Sequence, residues 1–374
     1  MTPILASPFH ARTASSNVQN AWTPRNGFTL ATAYASASEE ALAARTSVVI
    51  ADISWRWRVM LQGPNVKVCL DRLLTRDVGP LEPGSSLKAL WLSDGGGVRG
   101  AGAIARFGKE SFLLVSAARD ARWIEMTTAL FGVRAHDITL EQGGISVVGP
   151  YAQHTLSAAG LDPEIEPLQF RKLFWRGLDV TLSRWGELGG YEIWCGAEDA
   201  IIVWDRIVTA GTPFNIQPAG LSALDVLDVE AGVARPLRDW MPANDGNASI
   251  PSPFTLKLER LIDDAKLDFN GRTGWISSRG IQRRTLIGLE LESDIPAPHA
   301  PLFRDGQVVG HTMTSVYSPG LRRAIALALV DLDHSAVATK LTVSLPPSME
   351  APVPRDAAAW IGDLPFLNSP VPIA

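Results

Sequence analysis

Short apolar runs along the chain are separated by turns rich in glycine and proline, and the hydrophobic spacing switches between strand and helix periods. Val48 to Asp52 is an apolar run closed by an acid, the pattern of a buried strand. Trp55 to Leu61 reads as a second strand. Gly63-Pro64-Asn65 then gives a turn and a helix start, with the helix running through Leu74. Ahead of them, Ser38 with Glu39 and Glu40 behind it predicts an N-cap and an acidic first turn for a helix reaching Ser47. Residues 87–117 give two or three strands punctuated by Gly95-Gly96-Gly97, Gly100 and Gly102. Gly149-Pro150 repeats the signal of Gly63-Pro64, as two copies of one α+β unit would. Asp199 to Thr209 has the spacing of an amphipathic helix, and 241–253 that of a loop. From about Arg284 short strands alternate with turns (Leu286 to Leu291, Asp305-Gly306, Val308 to Gly310), which predicts a small β-barrel or sandwich.

One stretch carries more chemistry than the rest. Ser183-Arg-Trp-Gly-Glu-Leu-Gly-Gly-Tyr-Glu-Ile-Trp194 begins in a turn and ends in a strand. Gly189 and Gly190 bare the backbone, after which Tyr191 and Ile193 face one side and Glu192 and Trp194 the other. A carboxylate and an indole on one face suit a flat, nitrogen-rich ring: the carboxylate accepts two parallel N–H bonds and the indole packs on the ring. The same residues also suit an edge strand with an exposed Glu192 and a half-buried Trp194.

Length and charge narrow the field. The chain has 374 residues, enough for two or three domains; 46% are apolar, 20% charged, and the net charge is -5. With no run of Lys or Arg, nothing points to nucleic acid or an anionic membrane, and no apolar run is long enough to span a bilayer. The N-terminus lacks a basic region before its apolar residues, so no signal peptide is expected. Two cysteines, Cys69 and Cys195, are too few for a disulfide framework or a structural zinc site, which makes a cytoplasmic protein the default. The 6 histidines show no metal spacing. Oligomeric state is not legible.

The strand at Tyr191-Glu192-Ile193 resembles the pterin-binding strand of the glycine-cleavage T-protein family, and its Trp185…Gly189-Gly190-Tyr191-Glu192 form is similar to the demethylase branch. That branch includes dimethylsulfoniopropionate demethylase and the tetrahydrofolate-dependent aryl O-demethylases. Further matches run in order: Ser7-Pro8-Phe9-His10, then Asp52, Ser54, Gly63 and Pro64, then Gly220 to Gly232, Lys266 to Gly271, and Thr314-Ser315 with Ser318-Pro319. The resemblance implies an α+β, three-domain clover-leaf around a central folate channel. Its two α+β domains would be 1–50 with 140–283 (contacting folate) and 51–139, followed by a C-terminal β-barrel at 284–374. It implies tetrahydrofolate as cofactor, with Glu192, Trp185, Tyr191 and Trp194 around the pterin.

The family pattern breaks at charged positions. Two acids expected after Gly96-Gly97-Val98-Arg99 fall on Gly100 and Ala101, and two expected arginines fall on Leu224 and Asp228. A substrate amine would lose the acid that orients it, which argues against aminomethyl transfer. Lys88 and Arg99 remain as candidate catalytic cations, with Asp94, Arg184 and Glu187 as further residues that could do chemistry. Trp55, Trp91 and His10 are candidates for a substrate pocket. Three readings follow. In the first, the enzyme moves a methyl group from a small substrate, a methoxylated aromatic or a sulfonium or ammonium compound, to tetrahydrofolate, largely by proximity. In the second, a folate-independent lyase releases a hydroxymethyl carbon as formaldehyde, with Lys88 or Arg99 facing the developing anion. The third is a non-enzymatic folate-binding module, but its Cys- and Gln-containing motif is absent.

Overall fold

The computed structural model describes residues 4–186, 188–243, 251–347 and 353–368. Glu187 and part of the 241–253 loop lie outside them. Two mixed layers and a barrel account for most of the chain. A six-stranded sheet takes the order Phe170–Trp175, Leu178–Ser183, Tyr191–Gly196, Gln142–Val148, Val48–Asp52, Ile216–Pro218. Every residue of Val48–Asp52 is buried because both faces of its sheet are covered. Helices Ala152–Ala159 and Ala200–Gly211 pack on one face through Leu156, Val203 and Ile207. Ala37–Thr46 and Leu221–Glu230 cover the other through Ala41, Ala44, Ala223 and Leu227.

The second sheet runs Ser86–Leu92, Val98–Gly108, Ser111–Ser116, Trp57–Gln62, Arg134–Asp137. Its Ala103, Ala105, Leu113 and Val115 join Phe170 and Trp194 of the first, with Ile53 and Trp185 from the adjoining loops, in one core, so the two sheets face each other. The repeat seen in sequence is geometric as well. Gly63 (φ +142°) and Gly149 (φ +132°) each end a strand and lead into a helix, Val66–Leu73 and Ala152–Ala159. A Cβ at Gly149 would also lie 2.4 Å from the Ser47 carbonyl oxygen.

The barrel is closed, in the order Arg284–Leu291, Arg323–Asp331, Gln307–Ser318, Pro301–Arg304, Lys340–Leu345, Arg355–Gly362. The α+β fold with a C-terminal barrel is therefore the one the sequence predicted. Buried Glu230 ties the barrel to the first layer: Arg45 Nε donates to it at 2.7 Å and Ser318 Oγ at 2.5 Å. The segment after the barrel returns along the same joint, with Leu367 N donating to Glu230 O at 3.0 Å.

Three local expectations change. The first long helix begins at Ala37, capped by Ser36 and not Ser38: Glu39 N donates to Ser36 Oγ at 3.2 Å, and Ser36 Oγ donates to Glu39 Oε2 at 2.9 Å. Two serines two residues apart gave the same signal, and the reciprocal bond chose between them. Trp55 lies in a turn, with Arg56 N bonded to Ile53 O at 3.0 Å, and the strand begins at Trp57. The strand Tyr191–Gly196 is interior, flanked on both sides, so Glu192 and Trp194 are buried and not at an edge.

At Gly100 the second sheet has no space for a side chain: a Cβ would sit 2.1 Å from the ring of fully buried Trp91. Gly100→Ala should cost about 1–3 kcal/mol by overpacking. The half-buried neighbour change Ala101→Ser should stay within about 0.5 kcal/mol. Thermal unfolding of the two variants checks the difference.

Candidate functional site

A channel of about 630 Å³ lies between the two sheets and the segment that follows the barrel. Its size comes from small residues on Val98–Gly108: Ala101 and Ala103 line it, and Gly100 turns away under Trp91. Of the two positions where the family pattern expects acids, only the one at Ala101 is at the channel. Lys88, opposite Ala103 in register, is in the wall. Arg56 and Arg235 line one part of it, exposed Lys257 and Arg260 another, and leucines and Trp240 supply apolar wall. Among the described lining residues there is no carboxylate, although the chain as a whole carries -5. Low-dielectric walls of one sign concentrate the field that an anion would feel.

At the Arg56 end stands Glu192, 1% exposed. Trp185 Nε1 donates to its Oε2 at 2.7 Å and Trp194 Nε1 to the same oxygen at 3.2 Å. Arg56 Nη1 donates to Oε1 in a salt bridge. Neighbouring strands make this possible by leaving side chains out. Gly144 is opposite Trp194, and a Cβ there would be 1.9 Å from the indole; a Cβ at Gly186 would be 2.7 Å from Glu192 Oε1. Beneath Trp194, the guanidinium of Arg58 stacks 3.8 Å from the ring centroid and donates to the carbonyls of Thr139 and Gln142 at 3.2 and 3.1 Å. Burial pushes the Arg58 pKa down to about 9, against the pull of Glu192.

The Gly220-to-Gly232 segment has exchanged its charges. Asp228, where the pattern expects an arginine, accepts two bonds from Arg235, at 2.7 and 2.6 Å. Arg238 donates to Asp225 at 2.7 Å and to Asp228 at 3.3 Å. The guanidinium missing from the helix is supplied by the following loop, and Arg235 presents it to the channel. Leu224 is buried and lines a recess between Glu192 and Trp55.

The recess beside Glu192 is small. It measures about 20 Å³, room for roughly one water molecule. Both oxygens of Glu192 already have donors. With Arg56 on Oε1 and two indoles on Oε2, the Glu192 carboxylate does not present the pair of open acceptors that a pterin edge would need.

The sequence candidates separate accordingly. Lys88, Trp185, Glu192 and Trp194 gather at the channel or directly behind it. Tyr191 is on the opposite face of its strand with Ile193 and Cys195, because side chains alternate, and is packed among the helices. Arg99 is turned to the far side of its sheet: its Nε and Nη2 donate to Asp120 at 2.9 and 3.0 Å, and its guanidinium lies 4.8 Å from the Trp123 ring. Trp91 Nε1 donates to the same Asp120 at 3.3 Å from the core. His10 packs at a tilt against Trp22, ring centroids 4.9 Å apart, beside the three-stranded sheet of Leu5–Ala6, Phe28–Ala31 and Trp22–Arg25, and lines neither cavity. Trp55 closes the recess with Arg25 4.9 Å over its ring. Sequence reasoning missed Arg56, Arg58 and Arg235. The signal available was two arginines interleaved with tryptophans at 55–58, and basic residues reappearing at 235 and 238 just after the acids at 225 and 228. No cluster able to hold a metal occurs among the described residues, and no described helix is long and apolar enough to cross a membrane.

Two family models match this chain: the GCVT N-terminal domain over residues 9–260 and the glycine cleavage T-protein C-terminal barrel domain over residues 284–354. A trimethylamine-oxide aldolase of Ruegeria pomeroyi is 30% identical over 338 residues, 85% of this chain; the chain spans only 42% of that protein's length. An aminomethyltransferase of Halalkalibacterium halodurans is 29% identical over 329 residues, 85% of this chain and 88% of the relative. The crystal structure of the glycine cleavage system aminomethyltransferase T from Bartonella henselae superposes with a TM-score of 0.86 over 98% of this chain and 99% of that one, at 20% identity.

Arg99→Met should lower stability by about 1.5–3 kcal/mol, through the charged hydrogen bonds lost at Asp120, without changing ligand affinity in the channel. Chemical denaturation and calorimetric titration separate the two effects. With Ala101 at the channel, no ammonia should be released from an aminomethylated carrier protein, measured with an ammonia assay.

Proposed function

This chain belongs to the glycine-cleavage T-protein family, and from that premise we propose that it is a one-carbon lyase that works without folate. It removes a hydroxymethyl carbon from an apolar, ring-bearing small molecule and releases it as formaldehyde. The observation that carries the reading is the capped carboxylate: Glu192 is bonded to Arg56, Trp185 and Trp194, and about 20 Å³ of space is left beside it. A relative named as an aldolase adds support.

The reaction balances without an oxidant or an acceptor. The carbon–carbon bond to the hydroxymethyl group breaks, and that carbon leaves as formaldehyde. The electron pair stays on the substrate, and the hydroxyl proton ends on the carbon that lost the group. What the protein has to supply is positive potential where the electron pair develops. The channel offers this with Lys88 and Arg56 in its wall and no carboxylate among its described lining residues. Its volume is within the range of about 300–1,000 Å³ typical of small-molecule sites, and its leucines and indoles suit a ring system.

Methyl transfer to tetrahydrofolate is the second reading, and one observation favours it: Glu192 stands on the strand that resembles the family's pterin-binding strand. It requires Arg56 to leave Glu192.

The fate of the carbon distinguishes them. A hydroxymethyl-bearing aromatic should give formaldehyde and the shortened product in equal amounts with no added cofactor, read by a formaldehyde assay and mass spectrometry. Product formation only with tetrahydrofolate, with 5-methyltetrahydrofolate accumulating, would replace the first reading by the second.

A further inference from the structure

We propose that Arg56 is the cation that meets the substrate's negative charge, and that Glu192 is a positioning residue that holds it there. The proposal rests on the lyase reading and assigns roles within it. Arg56 is in the link where the chain passes from the strand Val48–Asp52 of one sheet to Trp57–Gln62 of the other. It lines both the recess and the channel, with a side chain only 13% exposed. A guanidinium has five N–H donors, and the contact to Glu192 uses Nη1, which leaves donors for an anion in the channel.

The surroundings of Glu192 have the form of a mount. Two indole N–H groups hold one carboxylate oxygen, Arg56 takes the other, and the Trp194 indole is backed by the Arg58 guanidinium. Gly186 leaves the space that brings the pair together. A cation anchored this way does not have to reorganise when charge develops on the substrate, which is the condition for strong electrostatic stabilisation. The two other candidate cations differ. Lys88 is an ammonium in the wall and lacks the planar fork of a guanidinium, and Arg99 grips Asp120 on the far side of the sheet. The ligand this arrangement recognises is an apolar organic anion, such as an aryl carboxylate or a phenolate.

Binding tests the idea independently of turnover. The full chain is titrated calorimetrically with 2-naphthoate, with 2-naphthol below and above its own ionisation, and with 2-naphthylmethylamine. The wild type should prefer the two anions over the amine. Arg56→Ala should weaken 2-naphthoate about tenfold or more. Arg56→Lys, which keeps the charge and covers the case in which the alanine variant does not fold, should show a smaller loss. Glu192→Gln should weaken it comparably, and the double variant should be no worse than the weaker single one, because Glu192 acts through Arg56. Added guanidinium ion should restore 2-naphthoate binding to Arg56→Ala. With substrate, both single variants should lose about a hundredfold or more in kcat/KM, with the part seen in anion binding appearing in KM and the remainder in kcat. Unchanged 2-naphthoate affinity in Arg56→Ala, additive losses in the double variant, or equal affinity for the amine would overturn the assignment. So would tight binding of tetrahydrofolate to the wild type that depends on Glu192. Arg56-dependent anion binding without formaldehyde release would leave the anion site standing and remove the lyase reading.

Discussion

A carboxylate with almost no solvent exposure organises this molecule. Burying Glu192 unpaired would cost several kcal/mol, and the fold avoids that by bringing charged and polar donors to it from three segments. Trp194 comes from its own strand, Trp185 from the loop before it, and Arg56 from the link between the two sheets. Each donor then constrains its own neighbourhood. Trp194 lies over Gly144, Arg58 lies under Trp194, and the turn at residues 53–56 must hold Arg56 at the sheet interface. Removing Arg56 would leave the buried Glu192 with its two indole donors but without an opposite charge, a loss of up to about 3–5 kcal/mol in such settings. The pair therefore belongs to the joint between the sheets as much as to the site.

The same economy of charge runs through the helix Leu221–Glu230. Asp228 would repel an anion if it faced the channel alone, but Arg235 and Arg238 fold back onto it. The result inverts the sign at the helix and returns it at the loop, so the channel surface stays cationic. Position 101 works in the same direction: Ala101 adds no negative charge where the family pattern has acid. The change at position 101 removes an acceptor from the channel, and the acid gained at Asp228 is neutralised by Arg235 and Arg238, so the described channel lining carries donors and no carboxylate, the arrangement expected of a receptor for developing negative charge.

Much of this was written in local sequence. The strand Val48–Asp52, the paired Gly-Pro turns and the alternation of Tyr191 to Trp194 are short-range steric and hydrophobic signals, and the structure keeps all of them. The ordered motifs were enough for the fold and for the segment that holds Glu192. Local rules also explain the near misses: Ser36 and Ser38 offer the same cap, and only one can close a reciprocal bond with Glu39.

Tertiary structure alone decided what Glu192 touches. The partners of a buried carboxylate are chosen by which donors can reach it in three dimensions; Arg56 lies 136 residues away in the chain and has no spacing relation to it. The same holds for Arg99 and Lys88, equivalent as cations in sequence but placed on opposite sides of one sheet by a strand period that a bulge beside Trp91 shifts. Sequence determined which residue types were present and which face of a strand each would take. Packing decided which faces met, because desolvation makes an unpaired buried charge too costly to leave and forces the chain to bring it a partner.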